Sequence, residues 1–199
     1  SSALLSNAAQ TAVTVTLSTG QTIAIAAGAT TGTVTIAAPS DDVYIDASTV
    51  SRTISTATGG NFEALTINPA AANTTVIDDS DATTVTLTAT PSVVEGGTIT
   101  YTATLTSAAQ TAVTVTLSTG QTIAIAAGAS SGTVDIAAPT DDVYIDASTV
   151  SRTISSATGG NFESLTIDPA AANTTVTDDS DATTVTLTAT PSVAEGGSI

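Results

Sequence analysis

The chain has 199 residues, of which 18 are acidic and two are arginines, so its net charge is −16. Phosphate contacts need lysine and arginine, so this composition excludes nucleic acid as an expected partner. The apolar content of 41% argues against a disordered chain, and the absence of an apolar run of roughly 18 residues argues against membrane insertion. Cysteine is absent, so a secreted form of this protein would rely on metal rather than on disulfides.

A long internal repeat organises the chain. Residues 8–99 recur almost unchanged at 108–199, and the stretch AAQTAVTVTLSTGQTIAIAAGA occurs at both 8–29 and 108–129. A unit of this length is too long for a solenoid coil and fits a complete β-sandwich. We therefore predict three segments, which are a repeat without its first strand at 1–79, a complete repeat at 80–179 and the first strand of a third repeat at 180–199.

Apolar residues alternate with polar ones through the complete repeat, as expected for half-buried strands. Turn signals separate these stretches every 8–12 residues, and no helical period is present, which is typical of an antiparallel β-sandwich. The fold class is thus all-β, with tandem antiparallel sandwiches. The predicted strands cover 83–90, 97–105, 112–118, 123–125, 134–136, 143–145, 149–155, 165–167 and 174–177.

Arg152 breaks the alternation of its strand. It shares parity with Val150 and Ile154, so the pattern would point a charged side chain into the core. Two explanations remain open. Either a β-bulge rotates Arg152 outward, or the strand lies at a sheet edge, where the charge reaches solvent and discourages aggregation.

Acidic residues cluster in three places along the complete repeat. Turns at one end of a sandwich would bring these places together, and calcium takes six to eight oxygen ligands, preferably from carboxylates and carbonyls. The alternative is that aspartate stands in these turns because it forms good turns. The three groups are Glu95; Asp141, Asp142 and Asp146; and Asp178, Asp179 and Asp181.

Three short motifs carry a resemblance to a known family. They are VEGG at 94–97, DDVYID at 41–46 and 141–146, and DDSD at 78–81 and 178–181. Together they resemble the Calx-β and related immunoglobulin-like sandwiches. The whole unit resembles the extender repeats of giant RTX adhesins, of the large adhesion protein type found in pseudomonad biofilms.

This resemblance implies a secreted fibre on the bacterial cell surface, whose Ca²⁺-loaded repeats project a distal adhesive domain. It implies immunoglobulin-like or Calx-β-like sandwiches. It also implies that the metal ligands are a glutamate near the first strand, acidic residues in a lower loop and a terminal acidic run. The implied ligands are Glu95, Asp142, Asp146, Asp178, Asp179 and Asp181, with Asp42, Asp46, Asp78, Asp79 and Asp81 in the first repeat.

We therefore expect a calcium-rigidified spacer in an extracellular adhesin rather than an enzyme, because histidine, cysteine and lysine are absent and no serine lies in an activating motif. The expected partners are neighbouring repeats of the same chain or head-to-tail copies; no receptor is predicted. One alternative is a filament or surface-layer subunit that polymerises by strand complementation. Another, a carbohydrate-binding module, is disfavoured by the scarcity of aromatic residues.

The last segment of the chain raises a related question. Residue 1 corresponds to residue 101, so the first repeat lacks the strand equivalent to 83–90, while 183–199 carries a spare copy of it. Donation of this segment to the first repeat of another copy would fill the missing strand position and would also give the spare strand a partner. The other interpretation is that the chain is a window of a longer array in which a neighbouring repeat supplies the strand. In either case we expect 183–199 to extend away from the second repeat.

Overall fold

A computed structural model describes all residues, 1–199, and divides into two compact units, Ser1–Asp81 and Ala82–Ile199. All regular elements are β-strands. Consequently no helix is present that is long and apolar enough to cross a membrane. The predicted fold class, tandem β-sandwiches, is confirmed.

Unit 2 contains the complete repeat and carries ten strands. Strand numbers follow the chain, and the seven strands of unit 1 come first. The strands of unit 2 are β8 (Ala82–Ala89), β9 (Ser92–Val94), β10 (Thr98–Leu105), β11 (Val113–Leu117), β12 (Thr122–Ile125), β13 (Ser131–Ala137), β14 (Ser148–Arg152), β15 (Ile154–Gly159), β16 (Ser164–Ile167) and β17 (Ala172–Thr177).

These strands form a four-stranded sheet in the order β13-β10-β8-β16 and two three-stranded sheets, β12-β11-β15 and β14-β17-β9. Alternate side chains of β8, β10 and β11 are buried, as the period of two requires. Small aliphatic side chains fill the core, and each one that is fully buried contributes about 1.5–3 kcal/mol. The fully buried residues include Val85, Ile99, Tyr101, Val113, Val115, Ile123, Ile125 and Val176.

Two strand pairings of unit 2 are parallel, beside the antiparallel pairings that the sequence predicts. Strand β16 pairs with β8 in parallel, and β17 pairs with β9 in parallel. Both pairings join the start of the repeat to its end. The remaining pairings of unit 2 are antiparallel.

The predicted strand 149–155 is two strands that belong to different sheets. Strand β14 pairs with β17, whereas β15 pairs with β11. Arg152 ends β14, which has β17 as its one partner and is therefore an edge strand. Arg152 thus lies at a sheet edge, as the second explanation requires. Its Nη1 donates a hydrogen bond to the carbonyl of Ser151, whereas its Nε is buried without a hydrogen-bond partner. The register shift of this region lies between Thr116 and Leu117 instead.

The predicted strand at 143–145 is wrong, because these residues form a bend in an exposed loop. Val143 is 52% exposed and Ile145 is 93% exposed. The reason is local. Asp142 Oδ1 accepts a hydrogen bond from the Tyr144 amide at 2.8 Å, and this Asx turn competes with strand pairing.

Unit 1 repeats this architecture from β10 onward, with fewer strands. Its buried core consists of small aliphatic residues such as Val13, Val15, Ile23 and Ile25. Strand β2 pairs with β3 and β6, β1 pairs with β4, and β5 pairs with β7. The strands are β1 (Ser2–Leu4), β2 (Val13–Leu17), β3 (Thr22–Ile25), β4 (Thr31–Thr33), β5 (Ser48–Arg52), β6 (Ile54–Gly59) and β7 (Ala72–Val76).

Within the residues described, unit 1 has no counterpart of β8 or β9. As a result residues 64–67, which match β16 in sequence position, form no strand. Val76 is part-exposed in β7, whereas its counterpart Val176 is fully buried. Residues 182–199, which hold a further copy of the β8 sequence, form no strand and are exposed.

The buried and exposed apolar positions of unit 2 should respond differently to truncation. Ile125→Ala should lower the free energy of unfolding by about 2–5 kcal/mol, because it leaves a cavity at a fully buried position. Val143→Ala should change it by less than about 0.5 kcal/mol, as for most surface changes. Urea denaturation measures both. A large loss with Val143→Ala would show that the loop at 143–145 is packed after all.

Candidate metal centres

Strand pairing places two of the predicted ligands of unit 2 next to each other. Glu95 directly follows β9 and Asp178 directly follows β17. Strands β9 and β17 are parallel, and Thr177 lies opposite Val94. The segments that follow these two strands therefore leave the sheet at the same edge. The Glu95 amide donates to the Thr177 carbonyl at 3.1 Å and extends this pairing by one residue.

The loop between β13 and β14 brings the third acidic group to this edge. The amide of Gly96 donates to the carbonyl of Pro139 at 2.7 Å, and the amide of Ala138 donates to the carbonyl of Gly97 at 2.9 Å. Gly96 has a φ of +68°, a conformation that favours glycine. The turn after Glu95 is therefore tied to the start of the acidic loop.

One carboxylate oxygen from each of Glu95, Asp146 and Asp178 lies within 4.8 Å of the others. We call this group the inner cluster. Glu95 is only 7% exposed, and its Oε2 is buried with no hydrogen-bond partner. A buried carboxylate without a partner is costly, so the inner cluster has an unsatisfied oxygen that a cation would satisfy.

The electrostatics of the inner cluster agree with its geometry. A hydrogen bond shared with Asp146, burial and the negative charges of Asp146, Asp178 and Asp142 raise the pKa of Glu95 to about 7. Two carboxyl groups can share a hydrogen bond only if one of them keeps its proton. A bound divalent cation would replace that proton and remove the repulsion.

A second group, the outer cluster, contains one residue of the same loop and two residues of the chain that follows β17. It consists of Asp141, Asp179 and Asp181, again with one oxygen of each within 4.8 Å of the others. The charge of Asp179, then burial and the charge of Asp181, raise the pKa of Asp141. The outer cluster therefore ties the acidic loop to the chain that follows β17.

Unit 1 repeats the outer cluster with Asp41, Asp79 and Asp81. A hydrogen bond with Asp79, together with its charge, raises the pKa of Asp41. Asp79 and Asp81 lie on the segment that continues into Ala82, the first residue of unit 2.

Unit 1 has only part of the inner cluster. The Asp46 amide donates to Asp78 Oδ2 at 3.2 Å. Burial, followed by the charges of Asp42 and Asp78, raises the pKa of Asp46. No glutamate stands with this pair.

The structure sorts the implied ligands into distinct roles. It brings Glu95, Asp146 and Asp178 into one group and pairs Asp46 with Asp78. The outer clusters contain the other aspartates of the DDSD runs, which are Asp79, Asp81, Asp179 and Asp181. Asp42 and Asp142 belong to neither, because each accepts a hydrogen bond from the amide two residues ahead and so caps the loop turn.

Sequence reasoning left Asp41 and Asp141 out of the ligand set, although both belong to outer clusters. The clustering of acidic residues along the chain held the signal, because it grouped Asp141 with Asp142 and Asp146. The ligand set implied by the family resemblance left Asp141 out.

Comparison with known proteins gives one family. A family model described as "LapA domain" matches residues 1–79 and again 81–179. No curated protein matches the chain.

Glu95 should make calcium-free protein pH-sensitive. The pKa of Glu95 is about 7 in the folded chain against an ordinary 4.5, so the folded state binds more protons in this interval. The resulting stability is complete below 4.5 and disappears as pH rises to about 7. Urea denaturation in chelator should therefore show a falling free energy of unfolding across the interval.

Two glutamine variants control this measurement. Glu95→Gln should flatten the pH dependence, because it removes the group that titrates. Glu195→Gln makes the same chemical change in the matching position of the exposed tail and should leave the dependence as it is. An unchanged slope in Glu95→Gln would contradict the assignment.

Proposed function

The chain belongs to the LapA domain family and is an adhesin-related module, and we propose that it is a calcium-rigidified extender of a bacterial cell-surface adhesin. In this function the repeats act as an extracellular spacer that projects a distal binding domain in biofilm formation. The observation that carries the proposal is the buried, unpartnered Oε2 of Glu95 among the carboxylates of Asp146 and Asp178.

The donor set of the clusters favours calcium over other metals. All candidate side-chain ligands are carboxylates, and the chain has neither histidine nor cysteine. Zinc, copper and iron sites are built largely from those two residue types. Magnesium keeps several waters and is usually held by one or two carboxylates, whereas calcium accepts flexible, carboxylate-rich sites.

Calcium would supply positive charge at each cluster, and the chain's own residues would determine what that charge holds together. Glu95 would fix the turn after β9, Asp146 the acidic loop and Asp178 the end of β17. Cross-linking these three segments stabilises the folded unit, because the unfolded chain does not hold them in one place.

The outer clusters would convert binding into stiffness. In unit 1 they join the acidic loop, through Asp41, to Asp79 and Asp81 on the segment that leads to unit 2. Without a cation these carboxylates repel one another, and the segment is free to swivel. With calcium bound, the segment would be held to unit 1, and an array of such repeats would become a rod.

Calcium should raise the melting temperature by on the order of 10 °C at concentrations about 100-fold above the dissociation constant. Calorimetry in chelator and in calcium measures the shift. Glu95→Gln should reduce the shift of unit 2, whereas Glu195→Gln in the exposed tail should keep it. The same melting temperature with and without calcium would overturn the proposal.

Stiffness has its own test. In calcium, Asp79→Asn with Asp81→Asn should give a shorter and more variable maximum dimension in small-angle X-ray scattering on the monomer fraction. The matched control is Asp179→Asn with Asp181→Asn, which alters the equivalent cluster of unit 2 and leaves the segment between the units unchanged. Equal maximum dimensions for the wild-type chain and the Asp79, Asp81 variant would refute the role of the outer cluster in rigidity.

A further inference from the structure

The interior of unit 2 contains a tyrosine whose hydroxyl group is fully enclosed. Tyr101 lies in β10 on the face of the four-stranded sheet that is turned towards the core, and its exposure is 0%. Its Oη is buried and has no hydrogen-bond partner among the atoms of the protein. Burial of a hydroxyl group without a hydrogen bond destabilises the folded state, so this atom points to a further partner.

The opposite sheet presents two more polar side chains to the same part of the core. Thr174 lies in β17 and is fully buried. Val150 of the neighbouring strand β14 pairs with Thr174, and Arg152 follows it by two residues, so its side chain leaves the sheet on the same inward face. The Nε of Arg152 is likewise buried without a hydrogen-bond partner.

The electrostatics of Tyr101 show that these side chains are its neighbours. Burial raises the pKa of the Tyr101 phenol, whereas the positive charge of Arg152 and the nearby hydroxyl of Thr174 act against this rise. Neither of them forms a hydrogen bond with Tyr101 Oη. Polar groups that lie near one another but beyond direct hydrogen-bond contact are commonly bridged by water.

The hydrogen-bonding capacity of the three groups is complementary. Thr174 Oγ1 donates its proton to the Thr90 carbonyl at 2.6 Å, so towards Tyr101 it can only accept. The hydroxyl of Tyr101 and the Nε of Arg152 each bring a proton that has no acceptor. The core of unit 2 therefore holds two donors and one acceptor around a common place.

We propose that one water molecule is bound between the two sheets of unit 2, where it accepts hydrogen bonds from Tyr101 Oη and Arg152 Nε and donates one to Thr174 Oγ1. About three hydrogen bonds are usual for a buried water. The water joins the four-stranded sheet, through Tyr101, to the sheet β14-β17-β9, through Thr174 and Arg152.

A small anion such as chloride fits these groups less well than water does. It would accept from Tyr101 and Arg152, but it has no proton for Thr174, whose lone pairs would repel it. The net charge of −16 also lowers the concentration of anions around the chain. Water both accepts and donates, so it matches all three groups.

The bound water lies beneath the crossover of the chain from one sheet to the other. Ala89, at the end of β8, pairs with Tyr101, and Thr90 follows it. The Thr175 amide donates to the Pro91 carbonyl at 3.0 Å, after which β9 runs beside β17. The water would therefore hold this crossover in place. The role requires no metal and is independent of the proposed calcium function.

Removal of the Tyr101 hydroxyl has opposite effects with and without a bridging water. With the water, Tyr101→Phe should raise the equilibrium constant of unfolding of unit 2 about fivefold, because a net favourable hydrogen bond is lost. A phenol without a partner is unfavourable, so its removal would leave this constant unchanged or lower it. Urea denaturation of the full chain in chelator measures the constant.

Tyr144→Phe is the matched control for this measurement. It makes the same chemical change at a side chain that is 73% exposed, so the equilibrium constant should stay as in the wild type. Circular dichroism should show the wild-type strand content for both variants. An unchanged or lower constant in Tyr101→Phe would overturn the proposal.

A double-mutant cycle tests whether Tyr101 and Thr174 are coupled without touching. Because one water serves both, Tyr101→Phe with Thr174→Val should raise the unfolding constant by less than the product of the two single effects. Thr83→Val replaces Thr174→Val in the control cycle. Thr83 is also fully buried with an unpartnered hydroxyl, but it lies six residues along β8 from Ala89, so its effect should multiply with that of Tyr101→Phe. Simple multiplication in both cycles would contradict a shared water.

A crystal structure of the full chain observes the bound molecule directly. It should show one oxygen-sized peak at about 2.5–3.2 Å from Tyr101 Oη, Arg152 Nε and Thr174 Oγ1. Crystals grown in bromide should give no anomalous signal at this position. A direct hydrogen bond between Tyr101 and Thr174 in place of the peak, or bromide bound there, would refute the assignment of water.

Discussion

Parallel pairing between the beginning and the end of the repeat is the constraint on which the other features of unit 2 depend. Strand β8 pairs with β16, and β9 pairs with β17. The first pairing covers the core with Val85 and Leu87. The second carries Glu95 to the same sheet edge as Asp178. One topological feature therefore closes the sandwich and assembles the acidic cluster of unit 2.

The inner cluster combines two unfavourable terms that a cation would relieve together. Burial leaves Oε2 of Glu95 without a hydrogen bond, and neighbouring carboxylates raise the pKa of Glu95 to about 7. With a net charge of −16 and two arginines, the chain has almost no cationic side chains to balance these carboxylates. In an extended array of such units, the carboxylates would repel one another without metal, and bound metal would cross-link the loops. A spacer whose stiffness depends on metal needs this property.

The two units provide an internal comparison, since nearly the same sequence stands in two environments. The LTI segment forms strand β16 at 165–167 but no strand at 65–67. Val176 is fully buried, whereas Val76 is part-exposed. The local sequences nearly match, and the two units differ in whether a partner strand is present beside these residues. β-Strand formation here is a property of pairing and burial more than of intrinsic preference.

Local pattern was enough to predict much of this protein. Alternation in VTVTL identified β11 with Val113, Val115 and Leu117 inward, the duplication revealed the repeat, and the motif set identified the family. Pattern failed at 143–145, where the side chain of Asp142 holds a turn that apolar alternation does not register. The acidic pattern included Asp141, but the ligand set implied by the resemblance left it out, because the choice between adjacent aspartates depends on the direction in which each side chain points. Strand alternation is a local property with a period of two, so one sequence is sufficient to find it. The convergence of Glu95, Asp146 and Asp178, and the sorting of the carboxylates into inner and outer clusters, were decided only by the tertiary structure, because they require pairing between β9 and β17, which lie about 80 residues apart.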